Sequence, residues 1–524
     1  MNKIHSTFIL VCAVLFMQTL SASSQNAKVY TTSGNSSKLL EESSATVANT
    51  SMTTGALLLK PTEKIQRMDG FGFAITYSSC YNLLKMSAAD RNAFLTKTYS
   101  ETDGYGVSYA RISIGCNDFS STEYTLCDAT GLKNFRLYTD ETNYVIPILK
   151  EILAINPKVK IIAAPWTCPR WMKVDDITTM NSYSSWTGGH INPNYYQDYA
   201  DYFIKFINAF KDNGISIYAV SPQNEPLNAY NCASTYIPAK EEAAFVKVLA
   251  ATFKSNNVST KIYVYDHNYD KFTYPIEVYN TLGSSYEGSE YVVGSAFHDY
   301  GGDNSVFNSM HAQFPDKDLI FSESSLGTWN DGHNLSTRLI DDMQNITLGT
   351  VNKYCNAVIV WNLMLDDKMG PNLDGGCQTC YGAVDISSSD YQTISCNSHY
   401  YIICHMSSVV SPDAVCIKTN NYSATGLTYS AFLNPDGTVS VVLLNDASGS
   451  MTVPLSDGIH RLSVTLPGRS VVSCKWTYDS STAITDIKKD NVADGYYYNL
   501  QGMRINKPDV KGLYIFNGKK VVVK

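Results

Sequence analysis

The chain has 524 residues, of which 44% are hydrophobic, 12% aromatic and 17% charged, and it carries a net charge of −8. That length exceeds one small domain, and the composition is that of a folded protein, which excludes disordered and fibrous classes. The acidic balance argues against nucleic acid, whose phosphates require a basic surface.

In chain order, Lys3 and His5 precede an apolar stretch from Phe8 to Leu20 that is followed by small residues, Ser21 to Ser24. This predicts an export signal over residues 1–24, too short to span a membrane comfortably. No later apolar run is long enough for a span, so the mature protein is expected to be soluble and periplasmic, cell-surface or secreted. Cys12 falls inside the signal, which leaves twelve of thirteen cysteines. In an exported chain some disulfides are expected, with their pairing open. The isolated Cys377-Gln378-Thr379-Cys380 reads as a loop disulfide or free thiols rather than a zinc site. Residues 25–66 read as a linker, polar from Gln25 to Asn49, followed by strand residues Leu57–Lys60 that could join a later β domain.

From residue 67 to 405 a unit repeats in which a short apolar run is followed by a polar loop and a segment of helical period. The runs are Gly70–Ala74, Tyr109–Ile114, Lys160–Ala164, Ile217–Val220, Ile262–Tyr265, Tyr291–Phe297, Leu319–Phe321 and Val358–Trp361. Intervening helices are predicted at Tyr144–Ile155, Tyr195–Asn213, Lys240–Phe253 and Leu335–Asn352, among others. Eight such alternations predict an α/β fold, a (β/α)8 TIM barrel. Residues 406–480 change to short β-type runs with turns at Pro435-Asp436-Gly437 and Pro467-Gly468, predicting a β-sandwich side domain. Residues 485–524 form a small C-terminal β unit.

Two segments carry chemistry. Ser221-Pro222-Gln223-Asn224-Glu225-Pro226 closes the fourth run, and Phe321-Ser322-Glu323-Ser324-Ser325 closes the seventh. Each places a carboxylate at the C-terminal rim of the barrel, where reacting groups gather. A pair of carboxyl groups there can hydrolyse a glycosidic bond: one protonates the leaving oxygen, the other attacks the anomeric carbon. Glu225 is the expected acid/base, Glu323 the expected nucleophile, and Asn224 a residue that could bind the sugar 2-hydroxyl. A separation of about 5 to 5.5 Å would make the reaction retaining.

Met68 to Thr76, Tyr109 to Ser120, Ala164 to Lys173, Gln223-Asn224-Glu225-Pro226 and Trp361-Asn362-Leu363 with Gly370-Pro371-Asn372 together resemble glycoside hydrolase family 30, the glucosylceramidase-like enzymes. The resemblance implies the barrel with a β-sandwich built from both chain ends, and the same roles for Glu225 and Glu323. It implies that Asp118, Trp166, Asn224 and Trp361 surround the sugar, that Arg111 orients a catalytic carboxylate by a bidentate pair, and that His298 and Tyr300 complete the substrate-binding set. Asp299 stands where the family has an aromatic residue, leaving the local wall open. The implied substrate is a β-glucoside, polysaccharide or glycoconjugate, with no metal or organic cofactor. The first-strand and Asn117-Asp118-Phe119-Ser120 motifs look closer to the glucosylceramidase and β-1,6-glucanase branches than to the xylanases. The alternatives are a non-catalytic surface glycan-binding protein, an inverting hydrolase, or another β-glycosidase such as a xylanase. Gly512-Leu513-Tyr514-Ile515 and the basic Val-rich end resemble the C-terminal sorting domains of proteins exported by Bacteroidetes bacteria, implying cell-surface attachment.

Overall fold

The computed structural model describes residues 25–478 and, beyond them, 497–498, 504–505, 512–516 and 519–523. The expected export signal lies outside the described residues. No helix among them is long and apolar enough to cross a membrane.

Eight parallel strands close into a barrel in chain order: β1 (Gly70–Ala74), β2 (Tyr109–Ser113), β3 (Lys160–Ala164), β4 (Ala219–Val220), β5 (Lys261–Asn268), β6 (Val292–His298), β7 (Asp318–Glu323) and β8 (Cys355–Val360). β8 returns to β1 with Val358 opposite Phe71. Because helices cover the outside and side chains fill the inside, the strands read as apolar runs rather than alternations. Tyr109, Ile162, Tyr263, Ala296, Ile320 and Ile359 pack as one buried cluster drawn from different strands, so the barrel is a core and not a pore. The surrounding helices follow the 3.6 period. In Tyr196–Asp212, Tyr199, Phe203, Phe206 and Phe210 are buried on one stripe, and Gly214 at φ +80° follows the helix end.

Asp69 closes the N-terminal end of the barrel. It is fully buried, accepts from Tyr109 Oη at 2.8 Å and from Arg67 at 2.6 Å, and pairs with Lys160. Burial works against its charge, but Lys160 and then Arg67 outweigh that and hold the carboxyl at about 2.

The β-sandwich draws on both ends of the segment 25–478. Its strands run in the order Glu41–Val47, Gln25–Ser33, Ser470–Thr477, Thr438–Asn445, Leu427–Leu433, Val415–Thr419, Leu57–Arg67, Met451–Ser456 and Arg461–Leu466. Arg461–Leu466 alternates exposed and buried residues throughout, as a half-covered strand should. The polar stretch expected to be a linker is instead a hairpin: Gln25–Ser33 pairs with Ser470–Thr477 on one side and Glu41–Val47 on the other. Glu41–Val47 is an edge strand held by main-chain bonds with most side chains in solvent, so it lacks an apolar signature.

Barrel and sandwich meet at helix Ser398–Ser407, every residue of which is buried. His405 Nδ1 lies 2.8 Å from Ser473 Oγ and Nε2 lies 2.8 Å from Thr32 Oγ1, while burial keeps the ring neutral by lowering it to about 3. The boundary expected between residues 405 and 406 falls inside this helix. Cys377 and Cys380 form a disulfide; ten other cysteines among the described residues are free, and all but Cys396 are buried. The C-terminal unit is a four-stranded antiparallel sheet in the order Arg504–Ile505, Tyr497–Tyr498, Gly512–Phe516, Lys519–Val523.

Candidate active site

Glu323 is the last residue of β7, and its side chain enters the barrel mouth directly from the strand. Glu225 lies beyond the end of β4 in a turn where it adopts φ +46°, a conformation uncommon for a side-chain-bearing residue. Two main-chain bonds fix the turn: Glu225 N donates to Asp266 O at 3.0 Å and Asn224 N to Pro165 O at 2.8 Å. Strand β5, which supplies Asp266, is itself irregular. Tyr265 and Asp266 have φ +80° and +59°, and the β5–β6 register shifts between Tyr265 and His267. Such a bulge re-aims side chains, and here it turns Asp266 inward.

Asp266 joins the centre together. Its Oδ2 accepts from Arg111 Nη2 at 2.9 Å, and its Oδ1 contacts His298 Nε2 at 3.0 Å and accepts from Ser322 Oγ at 2.6 Å. Arg111, fully buried, does not form the expected bidentate pair. It divides its donors, Nη1 to Glu323 Oε2 at 2.6 Å and Nη2 to Asn224 Oδ1 at 2.7 Å as well as to Asp266. Trp166 and Trp361 flank the guanidinium at 5.2 and 5.3 Å. Glu323 Oε1 accepts from Tyr300 Oη at 3.0 Å, and Glu225 Oε2 accepts from Asn228 Nδ2 at 2.8 Å. His298 Nδ1 completes the ring of contacts, 3.1 Å from Glu225 Oε1.

One oxygen from each glutamate and a His298 nitrogen all lie within 4.8 Å of one another. Among the described residues, these three are the group close enough to hold a metal ion. Their polar atoms, however, already face Arg111, Tyr300, Asn228 and one another.

Burial opposes charge on every group here, and the neighbours decide the outcome. Burial would neutralise His298, but the charge of Glu323 and the hydrogen bonds of Asp266 and Glu225 prevail and raise it to about 10. Burial would raise Glu225, yet His298 brings it down to about 2. Burial raises Glu323 against the pull of His298 and Arg111. Asp118 is raised to about 8, by burial first and then by Glu323. Its Oδ1 is buried without a hydrogen-bond partner in the protein, leaving it ready to accept from a ligand hydroxyl.

A cavity of about 310 Å³ opens over this network. Of the residues expected from sequence, Asp118, Glu225, Tyr300, Glu323 and Trp361 line it, while Arg111, Trp166, Asn224 and His298 stand behind them. Asp299 turns aside to accept from Ser324 Oγ at 3.1 Å and is not part of the lining. Sequence reasoning missed Asp266, Asn228, Asn231, Asn268, Ser325 and Trp329; a loop disulfide at Cys377-Gln378-Thr379-Cys380 was one of its two readings, but it did not place that loop at the cavity. The polar cluster Asp266-His267-Asn268 immediately after the fifth apolar run was the available signal.

A closed (β/α)8 barrel with two carboxyl groups converging at its C-terminal rim, each held by its own donors, is the architecture of a glycosidase. The comparisons agree. Residues 68–410 match the glycosyl hydrolase family 30 TIM-barrel domain and residues 413–474 the family 30 β-sandwich domain. The chain belongs to glycoside hydrolase family 30 and is a glycoside hydrolase. Among curated relatives it is 28% identical to endo-1,6-β-D-glucanase neg1 of Aspergillus fumigatus, over 79% of this chain and 86% of that one. It is 26% identical to lysosomal acid glucosylceramidase of Mus musculus, over 81% and 84%. Among solved structures, the endo-β1,6-glucanase BT3312 superposes with a TM-score of 0.82 at 51% identity, covering 87% of this chain and 100% of that chain. SrfJ from Salmonella typhimurium shares the fold, with a TM-score of 0.76 at 24% identity.

Proposed function

We propose that the protein is a retaining endo-β-1,6-glucanase. The observation that carries the linkage is the 51% identity to an endo-β1,6-glucanase across that protein's whole solved chain, against 26% for the lysosomal glucosylceramidase. The retaining mechanism is supported by carboxyl oxygens within 4.8 Å, too close to leave room for a water between them as an inverting enzyme requires.

In the first step a Glu323 oxygen attacks the anomeric carbon, and the bond from that carbon to the glycosidic oxygen breaks. The proton held between Glu225 and His298 passes to the departing oxygen. Arg111 and Tyr300 keep the Glu323 carboxylate aimed, because each holds one of its oxygens. Asn224 has its Oδ1 fixed by Arg111, which leaves Nδ2 to donate to the 2-hydroxyl. Asp118 accepts from sugar hydroxyls through its unpartnered oxygen, and Trp361 supplies an apolar face. In the second step water attacks the same carbon and gives its proton to Glu225, releasing Glu323.

The test is digestion of β-1,6-glucan and glucosylceramide side by side. Mixed-length oligosaccharides from the glucan, lost in Glu323→Gln, support the reading. Cleavage of glucosylceramide with the glucan intact overturns the linkage. We further propose that the chain is exported and that its C-terminal unit is a sorting domain. Unchanged surface location after deletion of residues beyond 484 would contradict that.

A further inference from the structure

One wall of the cavity is a short ribbon outside the barrel, in which Leu326–Gly327 pairs antiparallel with Cys380–Tyr381. Trp329 follows it. This indole lines the cavity together with Glu225 and Glu323, yet it is 53% exposed. A large ring left half bare at a polar cleft offers a flat apolar face to a ligand.

The ring rests on Gly327. A Cβ added at Gly327 would lie 1.9 Å from the Trp329 ring, so the indole rests on the glycine's backbone. Gly327 has an extended backbone at φ −174°, and it is space rather than backbone conformation that excludes a side chain. Gly327 N donates to Asn330 Oδ1 at 3.0 Å and Thr328 N to Thr379 O at 3.0 Å, which ties the turn to the disulfide loop. The turn that carries Trp329 is therefore fixed at its backbone, and the indole lies against Gly327.

The other two tryptophans of the site are engaged elsewhere. Trp166 and Trp361 are 2% and 5% exposed and pack on Arg111 beneath the reacting centre. A sugar undergoing reaction occupies the deep part bounded by Asp118 and Trp361. The group that departs with the proton from Glu225 extends toward the mouth, where the bare indole stands. The C–H face of a pyranose matches such a ring.

We propose that Trp329 is the stacking platform for the sugar on the leaving-group side and that Gly327 fixes its ring. The proposal rests on the retaining-glycosidase reading of Glu225 and Glu323 but not on the β-1,6 linkage.

The test uses β-glucosyl fluoride as donor, which has no leaving-group sugar, and methyl β-glucoside as acceptor. Glu323 displaces fluoride, which departs with the proton held between Glu225 and His298; the acceptor hydroxyl oxygen then bonds to the anomeric carbon as the ester to Glu323 breaks, its proton going to the vacated Glu225. Water competes for the same intermediate, so the ratio of transfer to hydrolysis reads acceptor binding alone. Trp329→Ala should lower that ratio about tenfold while Trp329→Tyr keeps most of it. Gly327→Ala, which retains the indole but displaces it, should lower the ratio in the same direction. An unchanged ratio in Trp329→Ala, or equal losses in the Ala and Tyr variants, overturns the platform. No fluoride release by the unaltered enzyme would instead remove the glycosidase reading beneath it.

Discussion

His298 Nδ1 faces Glu225 Oε1 across 3.1 Å while Nε2 faces Asp266 across 3.0 Å, so the buried His298–Glu225 pair holds a proton where the leaving group can take it. With the histidine raised to about 10, that proton is retained throughout the neutral range. In His298→Asn, Glu225 must hold it alone, and the alkaline limb of kcat/KM on an oligosaccharide should move to lower pH. A pH–rate profile of the two enzymes checks this. An alkaline limb that stays in place would assign the proton to another group.

Asp118 is buttressed by the disulfide loop. Leu373 N donates to Asp118 O at 2.9 Å, and a Cβ at Gly376 would lie 2.4 Å from that same oxygen. Opening the Cys377–Cys380 bridge, by reductant or by Cys377→Ser, should raise KM several-fold with a smaller change in kcat. Because the other described cysteines are unpaired, reductant has one target among the described residues. Steady-state kinetics with and without reductant, with the serine variant as control, make the measurement.

Asp69 gives the stability of the barrel a pH dependence. Its folded carboxyl is depressed to about 2 from an ordinary 3.8, so its contribution is full above about 4 and is lost as pH falls through 2. A depression of that size corresponds to about 2 kcal/mol. Asp69→Asn should lower Tm at pH 7 and flatten the loss of stability between pH 4 and 2. Calorimetry across that range checks both effects, and a variant as acid-sensitive as the parent would place the effect elsewhere.

The convergence of Glu225 and Glu323 was legible because each lies in a short polar segment that closes an apolar run, and the barrel because its strands are buried on both faces. Asp266 was not legible in the same way. Its inward direction comes from a bulge at Tyr265 and Asp266, and a linear pattern does not reveal a positive φ. Trp329 escaped notice because its position depends on what Gly327 lacks, a side chain under the ring. The N-terminal hairpin escaped for another reason. Main-chain pairing with Ser470–Thr477, hundreds of residues away, selects its strands, and its outer strand carries almost no apolar residues.

Trapping the intermediate shows whether Glu323 attacks the sugar while Glu225 manages the proton. Incubation with a 2-deoxy-2-fluoro-β-glucoside bearing a good leaving group should add one fluoroglucosyl mass to the protein, and peptide mass spectrometry should locate it on Glu323. Attachment to a different residue, or turnover that releases the inverted anomer with no adduct, would rule out Glu323 as the nucleophile.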